Sequence, residues 1–300
     1  MTRIARRKLL GGALALPLAG HASAQGAGPI RLGFLTVKTG PLASGGIQME
    51  QRLQLWLKEN GSTMAGRPVE LFTADTGGVP ANTRSKTQEL VERNDVSAII
   101  GPLAAFEALA IDDYTKGKGI PVFSIAAAED ITQRHPDPWF CRVTSSSAQC
   151  AQPLADYARK ELGFKRMATI GDDIAYGQEQ NAGFQRVFED EGGQVVQKLW
   201  PPLNAPDYGT FIAQLKEVDG IFMSFAGSNG FRFFKQFKEY GGTTPILGGM
   251  TAVDEAVLQQ MGADAVGMIS ANCNTVHFVI RIAADTSIRV VGCGVRGRNG

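Results

Sequence analysis

The sequence predicts an α/β protein with two lobes of parallel sheet joined by a hinge. Short β-branched runs alternate with amphipathic helical stretches from residue 30 to about residue 261. Because a strand, a helix and a second strand form a βαβ unit, this alternation predicts parallel sheets with helices on both faces. The alternation is interrupted once, at 135–147, where a proline-rich turn precedes an extended and then a polar stretch. One continuous doubly wound sheet is the alternative interpretation.

The first set of alternating elements runs from residue 30 to residue 125. Strands are predicted at 30–36, 68–74, 96–101 and 120–125. A glycine-rich turn at 40–46 leads into a helix that ends near 60, and further helices are predicted at 80–93 and 104–116. The strand runs are rich in β-branched residues and are bounded by glycine, proline or aspartate, which is typical of strands.

The second set of elements follows the interruption. Strands are predicted at 166–171, 194–199, 220–225 and 245–247, and helices at 151–162, 178–191, 207–216, 230–240 and 253–261. In the first of these helices, apolar residues recur at the spacing of one helical face. We therefore predict an N-terminal lobe at 25–142, a C-terminal lobe at 143–271 and an atypical tail at 272–300.

The first 24 residues have the three-part pattern of a secretory signal peptide. Four basic residues lie between 3 and 8, an apolar run spans 9–18, and an A-x-A sequence stands at 22–24. This order is typical of a cleaved leader, and the apolar run is about half the roughly 20 residues that a membrane span needs. We expect export to the periplasm through the general secretory or the twin-arginine route.

The charge distribution argues against a nucleic-acid partner. Hydrophobic residues make up 44% of the chain and charged residues 20%, which is ordinary for a globular protein. The formal net charge is +1, but residues 25–272 carry 28 acidic against 22 basic side chains. Since nucleic-acid affinity depends on Lys and Arg that neutralise phosphates, a mildly acidic body is a poor polyanion binder.

Residues typical of catalysis and metal binding are scarce. The chain has three histidines, of which one lies in the leader and one in the tail, and the common phosphate-binding and nucleophile motifs do not occur. Asp172 and Asp173 form the one suggestive carboxylate pair, but adjacent residues on an extended chain point to opposite sides. We interpret the pair as a turn and helix-start device, and we predict no enzyme activity, no cofactor and no metal.

The four cysteines do not have the spacing of a disulfide framework. Cys141 and Cys150 are nine residues apart and flank a serine-rich loop, while Cys273 and Cys293 lie in the tail. In an oxidising compartment the first two are candidates for a bridge. The sequence leaves this pairing open, because it does not show whether the Cβ atoms face each other.

Several short motifs together resemble the periplasmic substrate-binding proteins of ABC importers, of the leucine/isoleucine/valine-binding type (type I). The motifs lie at 30–36, 39–43 (TGPLA), 72–75, 96–102 (VSAIIGP), 119–124, 140–142, 171–177 (GDDIAYG), 219–222 and 267–270. Each motif is weak alone, but their order over about 30–271 is specific. The resemblance implies two Rossmann-like lobes that close on a small ligand and deliver it to an inner-membrane permease.

Ligands of open α/β sheets bind outside the carboxyl ends of the strands, where helix N-termini can hold a carboxylate. The loops after the third and fourth predicted strands are such places, and the second matches the family's ligand loop. The resemblance adds a tyrosine that enters the cleft from the second lobe. The predicted ligand-binding residues are Ser44, Ala104, Ala105, Phe106, Ala126, Ala127, Ala128, Tyr176, Phe225 and Met250.

Two positions depart from the amino-acid binders of the family. Alanines stand where those proteins commonly have hydroxyl residues after the third strand, and Met250 stands where they have an acid facing the ligand ammonium. A buried ammonium without a carboxylate partner is costly. Phe106, Phe225 and Met250 would form an apolar wall, which favours an aromatic or branched-chain acid without an amine. Asp173, Asp254 or Glu107 remain alternative partners, so amino acids stay open.

The tail at 273–300 departs from the family pattern as well. It contains four arginines, no lysine and one acid. We interpret it as a truncated or frameshifted reading frame, and a hairpin of 276–282 with 288–291 is the alternative. Loss of the family's final segment predicts apolar sheet and helix faces left exposed on the first lobe.

The sequence thus predicts a monomeric periplasmic binding component of an ABC importer, which captures a small amphipathic carboxylate. A branched-chain amino acid and an aromatic or branched acid are both compatible ligands. A sensory ligand-binding module of the same fold is the main alternative, and an exported enzyme is the third.

Overall fold

The computed structural model describes residues 28–252, 261–262, 268–272 and 289–292. Its first sheet contains six strands, β1 (Ile30–Thr36), β2 (Thr63–Met64), β3 (Arg67–Asp75), β4 (Ala98–Ile100), β5 (Val122–Ser124) and β6 (Phe140–Arg142). The strand order is β2-β3-β1-β4-β5-β6, and every pair is parallel except β2 with β3. The α/β class and the parallel sheets predicted from the alternation are confirmed.

Three helices accompany this sheet, α1 (Ala43–Glu59), α2 (Pro80–Glu92) and α3 (Ala105–Lys118). Pro80 begins α2, where its missing N–H costs nothing, and Gly119 ends α3 with a left-handed φ of 66°. The helices α2 and α3 bury an aliphatic cluster against the sheet, which includes Leu35, Leu90 and Ile99. We call the first sheet and these helices the first lobe.

The second sheet also has six strands, β7 (Arg166–Gly171), β8 (Gln194–Leu199), β9 (Gly220–Ser224), β10 (Ile246–Gly248), β11 (Ile269–Asn272) and β12 (Arg289–Gly292). Their order is β12-β11-β10-β9-β7-β8, and all of these pairs are parallel. The chain therefore builds two separate sheets, and the alternative of one continuous sheet is wrong.

Four described helices pack on the second sheet, α4 (Ser147–Lys160), α5 (Ala175–Asp190), α6 (Gly209–Ile212) and α7 (Ser228–Glu239). The predicted stripe on α4 is buried against α5 and the sheet, where Phe184 stacks on Phe222 with 4.4 Å between ring centroids. On the same sheet α7 buries Phe233, Phe234 and Phe237. We call the second sheet and its helices the second lobe.

Helix α1 begins inside the predicted glycine-rich turn, at Ala43. Gly46 allows this, because a Cβ there would collide with the backbone of Val37. The hydroxyl of Thr36 also donates to the Gly46 carbonyl oxygen at 2.8 Å, which fixes the first turn against β1. Tertiary contact at the strand end thus overrides the turn tendency of the glycines.

Other differences from the predicted elements are local. Helix α6 covers only four residues of the helix predicted at 207–216, and strand β2 was not predicted. The segment predicted as an extended connection between the lobes contains β6, which is the edge strand of the first sheet. The helix at 253–261 lies almost entirely outside the described residues, as does the leader at 1–24. Within the described residues, no helix combines the length and apolar character that a membrane crossing requires.

The tail contributes one described strand. β12 pairs in parallel with β11 at the edge of the second sheet, in register from Ile269 with Arg289. The 276–282 arm of the alternative hairpin lies outside the described residues, so the frameshift hypothesis stays a prediction.

The cysteines do not pair as the sequence allowed. Cys141 is free and exposed, whereas Cys150 is disulfide-bonded. A Cys141–Cys150 bridge is therefore not formed, because Cys141 lies on the sheet-edge strand β6 and Cys150 is buried within α4.

Candidate functional site

The carboxyl ends of the two sheets face each other across an apolar cluster. We call it the interlobe cluster, since both lobes contribute to it. Its buried members are Val37, Leu42, Ala104, Ala105, Ala108, Ala126, Ala127, Ala128, Ile131, Tyr176 and Ala226. Phe106, Met250 and five other partly buried apolar side chains pack against them. Loops after strand ends meet here because parallel strands direct their carboxyl ends to one edge of each sheet.

The structure brings most of the predicted ligand-binding residues into this cluster. The predicted alanines of both first-lobe loops belong to it, together with Phe106, Tyr176 and Met250. Ser44 lies in the first turn of α1, where its Oγ is buried and has no hydrogen-bond partner among the residues that the structure describes. A buried hydroxyl without a partner is costly, which makes Ser44 a candidate ligand contact.

Phe225 does not join this cluster. Its side chain is 2% exposed and packs in the second-lobe core, stacked on Phe233 at 4.9 Å and edge-on to Tyr208 at 5.2 Å. The predicted apolar wall therefore consists of Phe106 and Met250 without the Phe225 ring. The sequence could not show this, because the strand end at β9 turns the ring into the core while the next residue, Ala226, faces the interlobe cluster.

Backbone N–H groups of the first lobe provide polar contacts at the cluster. Ala105 and Phe106 form the first turn of α3, where N–H groups lack helical partners and the dipole is positive. In the described part of the chain, no acceptor bonds these two N–H groups or those of Ala127 and Ala128. Such donors suit a carboxylate.

Glu107 anchors α3 and is not available to a ligand. It is fully buried, its Oε2 accepts from the Ala104 N–H at 3.0 Å, and its Oε1 accepts from the hydroxyls of Thr76 and Thr83. Both carboxylate oxygens are therefore used to fix the start of the helix. This observation removes one of the three acids that the sequence offered as an ammonium partner.

The other two acids have different positions. Asp173 is exposed, and its Oδ1 accepts from the Gln178 side chain at 2.7 Å. Asp254 lies outside the described residues. As expected from the strand-end geometry, Asp172 and Asp173 point apart, one into the second lobe and one into solvent.

Asp172 holds the second-lobe wall of the site. Its Oδ2 accepts from the Ala226 N–H at 2.7 Å and its Oδ1 from the Asn229 side chain at 2.8 Å. Burial raises the pKa of the Asp172 carboxyl to about 7, although these two hydrogen bonds and nearby Arg232 oppose the shift. The Asp172 carboxyl thus fixes the loop before α7. It holds the start of α7, although in the chain Asp172 precedes α5.

Tyr176 lies in the first turn of α5. Thr251 Oγ1 donates to the Phe225 carbonyl oxygen at 2.9 Å, so its single proton is used there. The Tyr176 hydroxyl therefore donates to Thr251 Oγ1, at 2.9 Å. These two hydrogen bonds fix the Tyr176 ring to the second lobe, while the ring packs against alanines of the first lobe.

Met250 stands at the second-lobe side among sulfur and hydroxyl groups. Its Sδ lies 3.2 Å from Cys150 Sγ and 3.9 Å from Ser145 Oγ, and its N–H donates to Gln180 Oε1 at 3.1 Å. The thioether fills this corner of the cluster as a flexible apolar group.

Several polar contacts join the lobes beside the cluster. The Pro41 carbonyl oxygen accepts from the Ser228 N–H at 3.1 Å, at the N-terminus of α7. A Cβ on Gly227 would collide with the same carbonyl oxygen, so glycine permits the approach. On another side, the Glu129 N–H donates to Glu179 Oε1 at 3.0 Å. The lobes are therefore closed on each other in this structure.

The ligand loop at 126–128 is held mainly through its carbonyl oxygens. Arg142, at the end of β6, donates to the carbonyl oxygens of Ala127 at 3.4 Å and Ala128 at 2.5 Å, and also to Thr132. Ser147 donates its N–H and its hydroxyl to the Ala127 oxygen, each at 3.1 Å. Partial burial lowers the pKa of the Arg142 guanidinium, and Glu179 and Glu129 oppose this shift.

Sequence reasoning did not single out Pro41, Arg142, Glu179 or Ser228 as site residues. Pro41 and Arg142 lie in motifs on which the family resemblance rests, so those motifs could have identified them as site residues. Glu179 lies three residues after Tyr176, one turn along α5, and nothing local distinguishes it. Across the described ranges, no group of three or more His, Cys, Asp or Glu side chains is placed to hold a metal ion.

Comparison with known proteins places the chain in a family. The profile of the periplasmic binding protein family matches residues 29–274. An ABC transporter substrate-binding protein from Sphaerobacter thermophilus is 31% identical, with a TM-score of 0.72 over 80% of this chain and 67% of that one. A solute binding protein of an ABC transporter from Rhodopseudomonas palustris BisB5, solved with 3,4-dihydroxy benzoic acid, is 30% identical, with a TM-score of 0.75 and the same coverage.

Curated relatives agree with the solved structures. Leu/Ile/Val-binding protein homolog 6 of Brucella abortus is 24% identical over 268 residues, which are 86% of this chain and 67% of that protein. The chain therefore spans about two thirds of the length of these relatives. The resemblance drawn from the sequence motifs is confirmed, and the chain belongs to the periplasmic binding protein family.

Proposed function

We propose that this protein is the solute-binding component of an ABC importer and that its ligand is a small aromatic carboxylate. The observation that carries the proposal is the combination of unpaired backbone donors and an apolar wall in one cluster. The N–H groups of Ala105, Phe106, Ala127 and Ala128 supply the donors, and the Phe106, Tyr176 and Met250 side chains supply the wall.

The donors fit the carboxylate end of such a ligand. A carboxylate at the N-terminus of α3 gains from the helix dipole and from N–H groups that otherwise stay unpaired. Because these donors are backbone groups, carboxylate binding here does not require hydroxyl side chains at 104 and 105. The alanines that depart from the amino-acid binders are therefore compatible with carboxylate binding.

The charges near the cluster favour an acid without an amine. Glu107 is fully engaged with α3, and Asp173 is exposed and paired with Gln178. Met250 occupies the position of the acid in amino-acid binders. Of the acids that the sequence offered as an ammonium partner, neither of the two that the structure describes is available to pair with one, and a buried ammonium without a partner is costly.

Two of the solved relatives support the same ligand class. The 30% identical protein from Rhodopseudomonas palustris BisB5 was solved with 3,4-dihydroxy benzoic acid, and a 27% identical protein from R. palustris was solved with 4-hydroxybenzoate. Both are solute binding proteins of ABC transporters, which favours import over sensing and over catalysis.

A melting experiment on the purified protein tests the ligand class. The panel is 4-hydroxybenzoate, 3,4-dihydroxybenzoate, benzoate, leucine, isoleucine and a branched-chain keto acid. A ligand at 100 times its Kd stabilises the folded state by about 2.7 kcal/mol, and we expect this for a hydroxybenzoate. Calorimetry then gives the Kd. Stabilisation by the amino acids alone would overturn the argument from Met250.

We infer that the protein works in the periplasm as a monomer and delivers its ligand to an inner-membrane permease. The leader pattern at 1–24 supports export, and the disulfide at Cys150 fits an oxidising compartment. Deleting the gene should abolish uptake of the labelled ligand at low concentration, and a plasmid copy should restore it. Unchanged uptake in the deletion strain would contradict delivery.

A further inference from the structure

Glu179 is a second-lobe residue whose side chain reaches the ligand loop of the first lobe. We propose that Glu179 is a positioning residue, which couples closure of the two lobes to the shape of the loop at 126–128. This inference rests on the proposed function, because it concerns how that site is assembled. It assigns the coupling to the bond between Glu179 and the Glu129 N–H, one of several hydrogen bonds that connect the second lobe with this loop.

The contact connects the element that carries Tyr176 with the end of the ligand loop. Glu179 lies on α5, and its Oε1 accepts from the Glu129 N–H at 3.0 Å. Glu129 directly follows Ala128, so the bond fixes the position where the loop leaves the cluster. On the same side, Ser146 Oγ donates to Glu129 Oε1 at 2.7 Å.

Two other residues hold the rest of the loop, Arg142 from the first lobe and Ser147 from helix α4 of the second lobe. Arg142 and Ser147 bond the carbonyl oxygens of Ala127 and Ala128. Those bonds orient the peptide planes but leave the following N–H, at Glu129, without a first-lobe acceptor among the described residues. Glu179 supplies that acceptor from the second lobe. The loop therefore reaches its full set of bonds when α5 approaches.

The surroundings of Glu179 make this contact costly, which is unusual for a purely structural residue. Its Oε2 is buried and forms no hydrogen bond with any described residue, and α5 faces Glu129 and Asp130 on the loop, Arg142 on β6 and Ser147 on α4. Burial raises the pKa of the Glu179 carboxyl. The Glu129 N–H and the Ser147 hydroxyl oppose this shift, and the neighbouring charges of Glu129 and Asp130 add to it. When the lobes separate, water can reach the carboxylate, so the cost applies to the closed state.

Three variants separate the roles of the acceptor and the charge. Glu179→Ala removes the acceptor, and Glu179→Gln keeps an acceptor oxygen without the charge. Gln178→Ala is the matched control, because Gln178 is the preceding residue on α5, is exposed and bonds within its own lobe. Melting temperatures of all three establish that they are folded.

The first readout is amide hydrogen exchange at Glu129 in the protein without ligand. We expect exchange to be about tenfold faster in Glu179→Ala, because a hydrogen bond to a carboxylate contributes on the order of the 1.4 kcal/mol that a factor of ten represents. Glu179→Gln and Gln178→Ala should stay within about threefold of the wild type. Equal exchange in Glu179→Ala and Gln178→Ala would overturn the proposal, whatever the ligand is.

The second readout is the Kd for 4-hydroxybenzoate, which should rise about tenfold in Glu179→Ala and little in Glu179→Gln. If the wild-type protein binds no compound of the panel, the proposed function is contradicted, but the hydrogen-exchange result at Glu129 still stands. Faster exchange with an unchanged Kd would overturn the coupling.

A pH series keeps the test decisive if Glu179→Ala unfolds. The raised pKa belongs to the closed state, so protonation favours closure, and protection of the Glu129 amide should increase as the pH falls through the titration of Glu179. After correction for intrinsic exchange, Glu179→Gln should show a flat profile. A profile in Glu179→Gln equal to that of the wild type would overturn the proposal.

Discussion

The two lobes have the same alternation of strands and helices but cover their sheets to different extents. In the second lobe, α7 buries three phenylalanines against the sheet. In the first lobe, α1 is longer, yet Gly46 is its one fully buried residue, and Leu55 is 54% exposed. On the first sheet Phe123 is 44% exposed, and Val143, the residue after β6, is 61% exposed.

This difference shows that alternation predicts the order of elements but not how completely a face is covered. A helix is stabilised in a protein mostly by burying an apolar face. The apolar residues of α1 find partners only near β1, so much of that face stays accessible. Exposed apolar patches of this kind promote association.

The largest expected effect is a loss of stability in the second-lobe core. Phe233 is fully buried and stacks on Phe225 and Phe237. Phe233→Ala should lower the free energy of unfolding by about 3–5 kcal/mol, because it removes a buried ring and leaves a cavity. Phe123→Ala is the matched change on the exposed first-lobe face and should cost less than about 1 kcal/mol. Urea unfolding of both variants measures the difference.

Equal losses for the two phenylalanine variants would break the comparison. They would mean that Phe123 is covered in solution, by another molecule or by another part of the chain. Sedimentation at two protein concentrations would then distinguish association from coverage within one molecule.

The buried carboxyls of the two lobes are a second comparison. Glu107 fixes the start of its own helix, whereas Asp172 fixes a loop that lies 54 residues further along the chain. The pKa of Asp172 is raised to about 7 from 3.8. Below about pH 4 the group is protonated in both the folded and the unfolded state, and its contribution to stability is fully present. This contribution is lost as the pH rises towards 7.

Between these limits the free energy of unfolding should fall by up to about 1.4 kcal/mol for each pH unit from Asp172 alone. Asp172→Asn should remove this part of the slope, although it also loses one acceptor for the Ala226 or Asn229 donor. Asp173→Asn, at the exposed neighbour, is the control and should keep the slope. Urea titrations at pH 4.5, 6 and 7.5 measure it. Parallel slopes in the wild type and Asp172→Asn would show that the carboxyl stays ionised.

The smallest expected effect concerns the contact where the lobes meet at Pro41. Gly227 has a φ of 54°, and a Cβ there would collide with the Pro41 carbonyl oxygen. Gly227→Ala should therefore weaken 4-hydroxybenzoate binding by about tenfold, because closure must shift or strain the backbone. Gly230→Ala, on the same helix, should bind normally, since its Cβ would lie 3.7 Å from the nearest atom, the Phe225 Cβ.

Calorimetry on both glycine variants, with melting temperatures as a check of folding, gives the result. Tight binding by Gly227→Ala would show that the ligand is held without the contact between Pro41 and α7. Scattering measurements would then show whether the lobes close less far.

The sequence by itself determined the alternation of strands and helices, the interruption between the two sets, and the small residues where ligand loops leave the sheets. These features are local, because periodicity and turn residues act within a few positions. Only the tertiary structure decided that Phe225 turns into the core, that Glu107 is consumed by α3, and that Glu179 reaches the other lobe. Each of these depends on residues distant in the chain, since a side chain's direction and its partners are set by packing between elements that the sequence pattern does not position.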